Sequence, residues 1–214
     1  MKNKLLCLMI TLGLMALMSV SVLASTNSGV PVTSDFSVTP VDSKGNAIAS
    51  NNSIEITVIN NSVLARGSGR PQNILQIYMV DEATGFENII ELCADTIAMF
   101  DSMYIPARNV SGRIYDAVLI QTRRDTSDSE SLINSRMASM PSQVFWSEIR
   151  RFHELDWIPW SVQGQTSLQG NIGGRFTVAN YRGFVPTVRR SQFLTEVTVT
   201  YEGFIPLVEM ISWG

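Results

Sequence analysis

The sequence predicts an α+β fold: a mixed or antiparallel sheet, with two or three helices from the middle of the chain packed on one side. Three observations predict it. Strand-like apolar patterns lie toward both ends of the chain, as in IEITVI (residues 54–59) and FLTEVTVTY (193–201). Between them, Ile89, Cys93, Ile97 and Phe100 recur at helical spacing. After a polar stretch a second helical set follows, with Leu132, Ile133, Met137 and Met140 and then Phe145, Ile149 and Phe152.

The chain opens as a secretory signal. Lys2 and Lys4 precede an apolar run from Leu5, and Val22 and Ala24 stand at the −3 and −1 places of a signal-peptidase site, so cleavage after Ala24 is expected. An uncleaved membrane anchor is the alternative, because an apolar run of about 18 residues approaches spanning length. Cys7 lies too early to be a lipidated cysteine. Removing residues 1–24 from the 214 leaves 190, with 14 basic residues against 19 acidic and a net charge of −5. That balance excludes nucleic acid as an expected partner, since phosphate binding needs a basic surface. No later apolar stretch reaches spanning length, so no transmembrane segment is expected once the signal is gone. Cys93 is then the only cysteine, and no intramolecular disulfide is available on the oxidising export route.

The organisation read from the chain is a signal peptide (1–24), a polar N-terminal arm or hairpin (25–53) and a single α+β domain (54–214). Ser, Thr, Asn and Gly dominate the arm, and Asp42–Asn46 carries turn chemistry. IEITVI alternates as a half-buried strand, and NILQIYMV (73–80) reads as a strand covered on both faces. ARGSGRPQ (65–72) between them reads as a polar, mobile loop. The helical stripe from Ile89 to Phe100 places Cys93 mid-helix as a buried thiol. RIYDAVLIQ (113–121) reads as a buried strand. Pro141 suits the opening turn of the helix carrying Phe145, Ile149 and Phe152. RFTVANY (175–181) and FLTEVTVTY close the chain as strands.

An eight-residue phrase occurs twice: YRGFVPTV (181–188) and YEGFIPLV (201–208). It belongs to a wider set of aromatic, β-branched, proline triplets at Tyr104–Pro106, Trp157–Pro159, Phe184–Pro186 and Phe204–Pro206. Proline and a preceding β-branched residue both favour extended backbone, so each triplet is a stiff step outside any helix. The expected role is architectural, as rigid corners with the aromatics packed in the core. The sharper alternative makes Trp157, Trp160, Tyr181, Phe184, Tyr201 and Phe204 an exposed surface for a glycan or a protein partner.

Catalytic patterns are weak. With His153 alone, HExxH and His-rich zinc sites are excluded. GSG (67–69) lacks the setting of a nucleophile elbow, and GNIGG (170–174) has no lysine to make a phosphate loop. DTSDSE (125–130) lacks the glycine and spacing of a calcium loop. Glu148 and Glu154, beside Trp157 and Trp160, are the one candidate acid pair for a glycosidase. Arginine outnumbers lysine, with pairs at 123–124, 150–151 and 189–190, a usage that suits fixed interface contacts.

The expectation is an exported, non-enzymatic structural or binding component of a bacterial cell-envelope assembly, periplasmic or at the cell surface. Its partners would be other envelope proteins or further copies of itself, with a glycan as a further candidate. No cofactor or metal is expected. The alternative is a small secreted hydrolase or carbohydrate-binding module acting on envelope polysaccharide.

Overall fold

In the computed structural model, residues 35–50, 52–60, 69–123 and 140–214 are described. They form twelve strands and one short helix: β1 (Phe36–Val41), β2 (Asn52–Asn60), β3 (Asn73–Asp81), β4 (Glu87–Cys93), α1 (Ala94–Ala98), β5 (Ser102–Ile105), β6 (Arg108–Val110), β7 (Arg113–Tyr115), β8 (Ala117–Thr122), β9 (Gln143–His153), β10 (Ser161–Ile172), β11 (Arg175–Phe193) and β12 (Glu196–Trp213). Ten strands make one antiparallel sheet in the order β1-β8-β5-β10-β11-β12-β9-β4-β3-β2, and β6 and β7 pair separately. Among the described residues no helix is long and apolar enough to cross a membrane.

The architecture is therefore almost all β, and the α+β expectation is overturned. The stripe Ile89–Phe100 is the end of β4 followed by the five-residue α1, and Cys93 occupies the N-cap place, half-buried, rather than mid-helix. Its N-terminal half pairs with β3 on one side and β9 on the other, so ladder bonding claims residues whose apolar spacing also fitted a helix. The stretch after Pro141 is the 11-residue strand β9. There Val144, Trp146 and Phe152 face inward together with Glu148 and Arg150, and these two inward charges hide the period of two. The helical set at Leu132–Met137 lies outside the described residues, as do the signal segment and the DTSDSE stretch.

The sheet curls on itself into a near-closed barrel. Three strand boundaries separate β10 from β9 in the sheet, yet a Cβ on Gly164 of β10 would meet the Trp146 ring of β9 at 2.9 Å. The indole thus crosses the interior, and only a bare glycine backbone leaves room for it. Leu75, Ile77, Ile90, Leu92, Leu168, Val197 and Val199 fill the same interior, drawn from both halves of the sheet. The edge strands β1 and β2 share no ladder. Instead the Asn52 amide at the start of β2 donates to Ile114 O, and its oxygen accepts from the Asp116 N–H. The β6–β7 hairpin covers this region, with Tyr115 Oη donating to Phe86 O at 3.1 Å and Arg113 stacked 3.8 Å over the Phe86 ring.

The repeated phrase is the centre of a pseudo-two-fold. β11 and β12 run antiparallel, so the first residue of each copy opposes the seventh of the other: Tyr181 with Leu207, and Thr187 with Tyr201. Between these points Pro186 and Pro206 remove ladder donors, and the register shifts at each end of the stretch, between Asn180 and Tyr181 and between Thr187 and Arg189. The copies pack reciprocally across the gap: Gly183 lies against Ile205 and Pro206, and Gly203 against Val185 and Pro186. Tyr181 Oη donates to Pro141 O at 2.9 Å, and Tyr201 Oη to Pro159 O at 3.0 Å. The Leu207 N–H donates to Ser142 O, and the Thr187 N–H to Trp160 O. The flanking strands follow the same axis, β10 on β11 and β9 on β12.

The triplets are extended steps, but the residue they bury is the β-branched one. Ile105, Val185 and Ile205 are fully buried, whereas Trp157, Phe184 and Phe204 are exposed. The expectation that the triplet aromatics pack into the core is corrected for these three. The aromatic residues that do fill the core are the opening tyrosines of the phrase, Tyr181 and Tyr201.

Candidate functional site

Two features stand out: a cleft leading to a buried charge cluster, and an apolar end of the molecule beside it. The cleft forms where β10 loses a neighbour. Pairing of β10 with β5 covers only Ser167–Gln169, and the Thr166 hydroxyl closes that ladder by donating to Tyr104 O. Beyond it, residues 106–109 depart from the sheet, and a cavity of about 450 Å³ opens between them and Ser161–Gln165. This lies within the usual size range of small-molecule sites. Among the described residues, Ser161–Gln165 pair only with β11, so one backbone edge of β10 faces the cleft.

Arg108, Arg150 and Trp146 line the inner wall of the cleft, and Trp157, Gln163 and Gln165 its outer part. Among the described residues no acidic side chain lines it. Behind the wall Glu148, fully buried, accepts from Asn88 Nδ2 at 2.8 Å and Arg150 Nε at 3.0 Å. Burial pushes the Glu148 carboxyl upward, but the charges of Arg150 and Arg108 outweigh it and hold it below the ordinary carboxylate range. Burial is likewise the main force on Arg108, lowering it to about 10, with Arg150 adding to the shift and Glu148 opposing it. Among the described residues Arg108 makes a single long contact, to Met79 Sδ at 3.7 Å. Its Nε and the Trp146 Nε1 are buried without an acceptor among the described residues. The cleft is thus donor-rich, with two guanidinium groups against one carboxylate.

The apolar end is built from two connected turns. The β9–β10 connection carries Leu155, Trp157 and Trp160, exposed by 86%, 80% and 88%. The β11–β12 hairpin carries Phe184 and Val188 and ends in Phe193 and Leu194, each 78% exposed. Main-chain bonds tie the two together: Glu154 N–H to Thr195 O at 2.7 Å, and Thr187 N–H to Trp160 O at 2.8 Å. Leu194 has φ +53°, a left-handed conformation unusual for a branched side chain.

The expected site residues separate accordingly. Trp157 lines the cleft, Trp160 belongs to the apolar end, and Phe184 is exposed within β11, paired with Gln163 of β10. Phe204 lies on the outer sheet face, edge-on to Phe145 at 5.8 Å. Tyr181 and Tyr201 are fully buried. Glu148 and Glu154 do not form a facing acid pair: Glu148 is an interior ion-paired group, and Glu154 sits exposed in the turn after β9. His153, at the end of β9, donates its backbone N–H to Asp156 Oδ2 at 2.8 Å. Arg70 is pinned rather than loose. It pairs with buried Glu91, which also accepts from Gln76 Nε2 and Ser147 Oγ, and it reaches Glu202 at 3.4 Å. Among the described residues no group of His, Cys, Asp and Glu has a metal-holding arrangement. Arg108 and the β10 edge had no signal in the sequence and Arg150 only that of an arginine pair, because their meeting depends on strand order alone. Compared with known proteins, the chain matches no family model, no curated protein and no solved structure.

Proposed function

We propose that this protein is an exported, non-enzymatic binding component of a bacterial cell-envelope assembly, docking to a neighbouring protein through its apolar end. The observation that carries the reading is the exposure of Leu155, Trp160, Val188, Phe193 and Leu194 on the β9–β10 connection and the outer part of the β11–β12 hairpin, which main-chain bonds tie together. Apolar surface gathered on one end of a protein marks an interaction site more often than chance exposure does. The signal-like residues 1–24 support export. The buried, ion-paired state of Glu148 weighs against a glycosidase, whose acid must reach a substrate.

The test is the native size of the tagged protein after gentle solubilisation of source cells. Elution in a high-mass, envelope-associated peak is expected, with collapse to a free particle on combining Leu155→Ser and Phe193→Ser. Elution of the unaltered protein near its own mass would sink the reading. A glycan-binding module is the second reading, favoured by the exposure of Trp157 and Trp160. A glycan array on which Trp160→Ala erases a wild-type signal would establish it instead.

A further inference from the structure

We propose that the cleft between β10 and residues 106–109 binds the free carboxyl terminus of an extended peptide. Two independent features of the cleft call for the two parts of such a ligand. The first is the unpaired edge of Ser161–Gln165, a row of backbone donors and acceptors that an extended chain satisfies by adding one strand to the sheet. The ladder is already started there: β5 pairs with β10 as far as Tyr104↔Ser167, and the incoming peptide continues that line where 106–109 turns away. The second is charge. Arg108 and Arg150 are both in the inner wall, while the acid buried behind it, Glu148, bonds to Arg150 through its Oε1; among the described residues its Oε2 has no donor and Arg108 has no carboxylate partner at bonding distance.

The donors of the inner wall agree with an anion in preference to a cation or a neutral group. Arg108 Nε and Trp146 Nε1 are buried without acceptors among the described residues, and Trp146 is only 1% exposed, so its position is fixed by packing on Gly164. A terminal carboxylate offers two oxygens to such a set, and a guanidinium accepts them in a fork. Trp157, exposed at the rim, provides a flat apolar wall for a peptide side chain, and Gln163 and Gln165 offer amides along the edge. The site shares Trp157 and Pro159 with the β9–β10 connection but none of Leu155, Trp160, Val188, Phe193 and Leu194, so it stands or falls separately from the docking surface proposed above.

The experiment presents the intact exported chain with a random-sequence library of short peptides in two forms, free acid and C-terminal amide. Expected is enrichment of free-acid peptides whose amidated twins bind about tenfold or more weakly, the loss typical of a charge-assisted hydrogen-bond pair. Arg108→Gln should lower affinity by a similar factor while circular dichroism shows an unchanged fold. Trp157→Ala, at an exposed position, gives a second and packing-neutral loss. Equal binding of acid and amide forms, or no peptide binding by the folded protein, overturns the proposal. So does competition by acetate or benzoate alone at affinities equal to the peptides, because the strand edge would then contribute nothing.

Discussion

Gly183 and Gly203 occupy equivalent places in the two copies of the phrase, yet their surroundings differ in tightness. A Cβ at Gly183 would stand 2.8 Å from the ring of Pro206, whereas at Gly203 its nearest neighbour is a Val185 methyl at 3.2 Å. Gly183→Ala is therefore expected to cost about 1–3 kcal/mol through overpacking, and Gly203→Ala clearly less, as denaturant midpoints would show. The tyrosine hydroxyls are the opposite case, because their bonds to Pro141 O and Pro159 O match within a tenth of an ångström. Tyr181→Phe and Tyr201→Phe should each cost about 1 kcal/mol, and by nearly the same amount. Unequal losses would show that the two halves of the pseudo-two-fold are not energetically equivalent. Burial holds the Tyr181 phenol up to about 12, so this hydroxyl stays a donor throughout the accessible pH range.

At the scale of the element, the β11–β12 turn holds Leu194 at φ +53°. Leu194→Gly removes the strain of that conformation and should stabilise the hairpin by about 0.5–1 kcal/mol. If the tip docks a partner, the same change weakens the native complex while raising the melting temperature, a combination that packing alone does not produce. The strands themselves were unevenly legible. β2, β3 and the first half of β12 announce themselves because their two faces differ in polarity or are both apolar. β9 does not: Glu148 and Arg150 lie inside, so Phe145, Ile149 and Phe152 are left as an apolar set that fits a helix equally well. Its enrichment in Val, Phe, Trp and Ile was the better guide, since such residues suit a pleated surface. In β10 the inward positions Val162, Gly164, Thr166, Leu168 and Gly170 do alternate, but with side chains too small or polar to register as a core. The two-residue turn of Gly173 and Gly174, both at positive φ, was the available sign that β10 and β11 form a hairpin. The repeated phrase was legible as architecture, while its two-fold pairing required knowledge of which strands are neighbours.

At the scale of the whole molecule, the interior charge cluster couples stability to pH. The Glu148 carboxyl lies below its ordinary value of 4.5 in the folded protein, so the unfolded chain takes up a proton first as pH falls. Its contribution is complete above about pH 4.5 and is lost as pH drops through the lower folded-state value. Glu148→Gln should flatten the acid limb of a stability–pH curve and cost about 3 kcal/mol at neutral pH, by leaving two buried guanidinium groups with a neutral partner. Arg108 has the other sign: its folded-state value of about 10 lies below the ordinary 12.5, so its charge is a cost at neutral pH that is relieved only as pH rises past about 10. The strand order carries one more consequence. β11 and β12 are the last strands in the chain but the two central strands of the sheet, and without them the other eight fall into two groups of four, β1-β8-β5-β10 and β9-β4-β3-β2. The second group is complete in sequence at His153 and the first at Ile172, but each contains a pairing across a long stretch of chain, β4 with β9 and β5 with β10, and the two groups are joined only through β11 and β12. Loop-closure entropy makes such distant pairings slow to form. The two halves accordingly meet only when the final hairpin arrives, so a chain cut short before Arg175 would keep them as unjoined half-sheets.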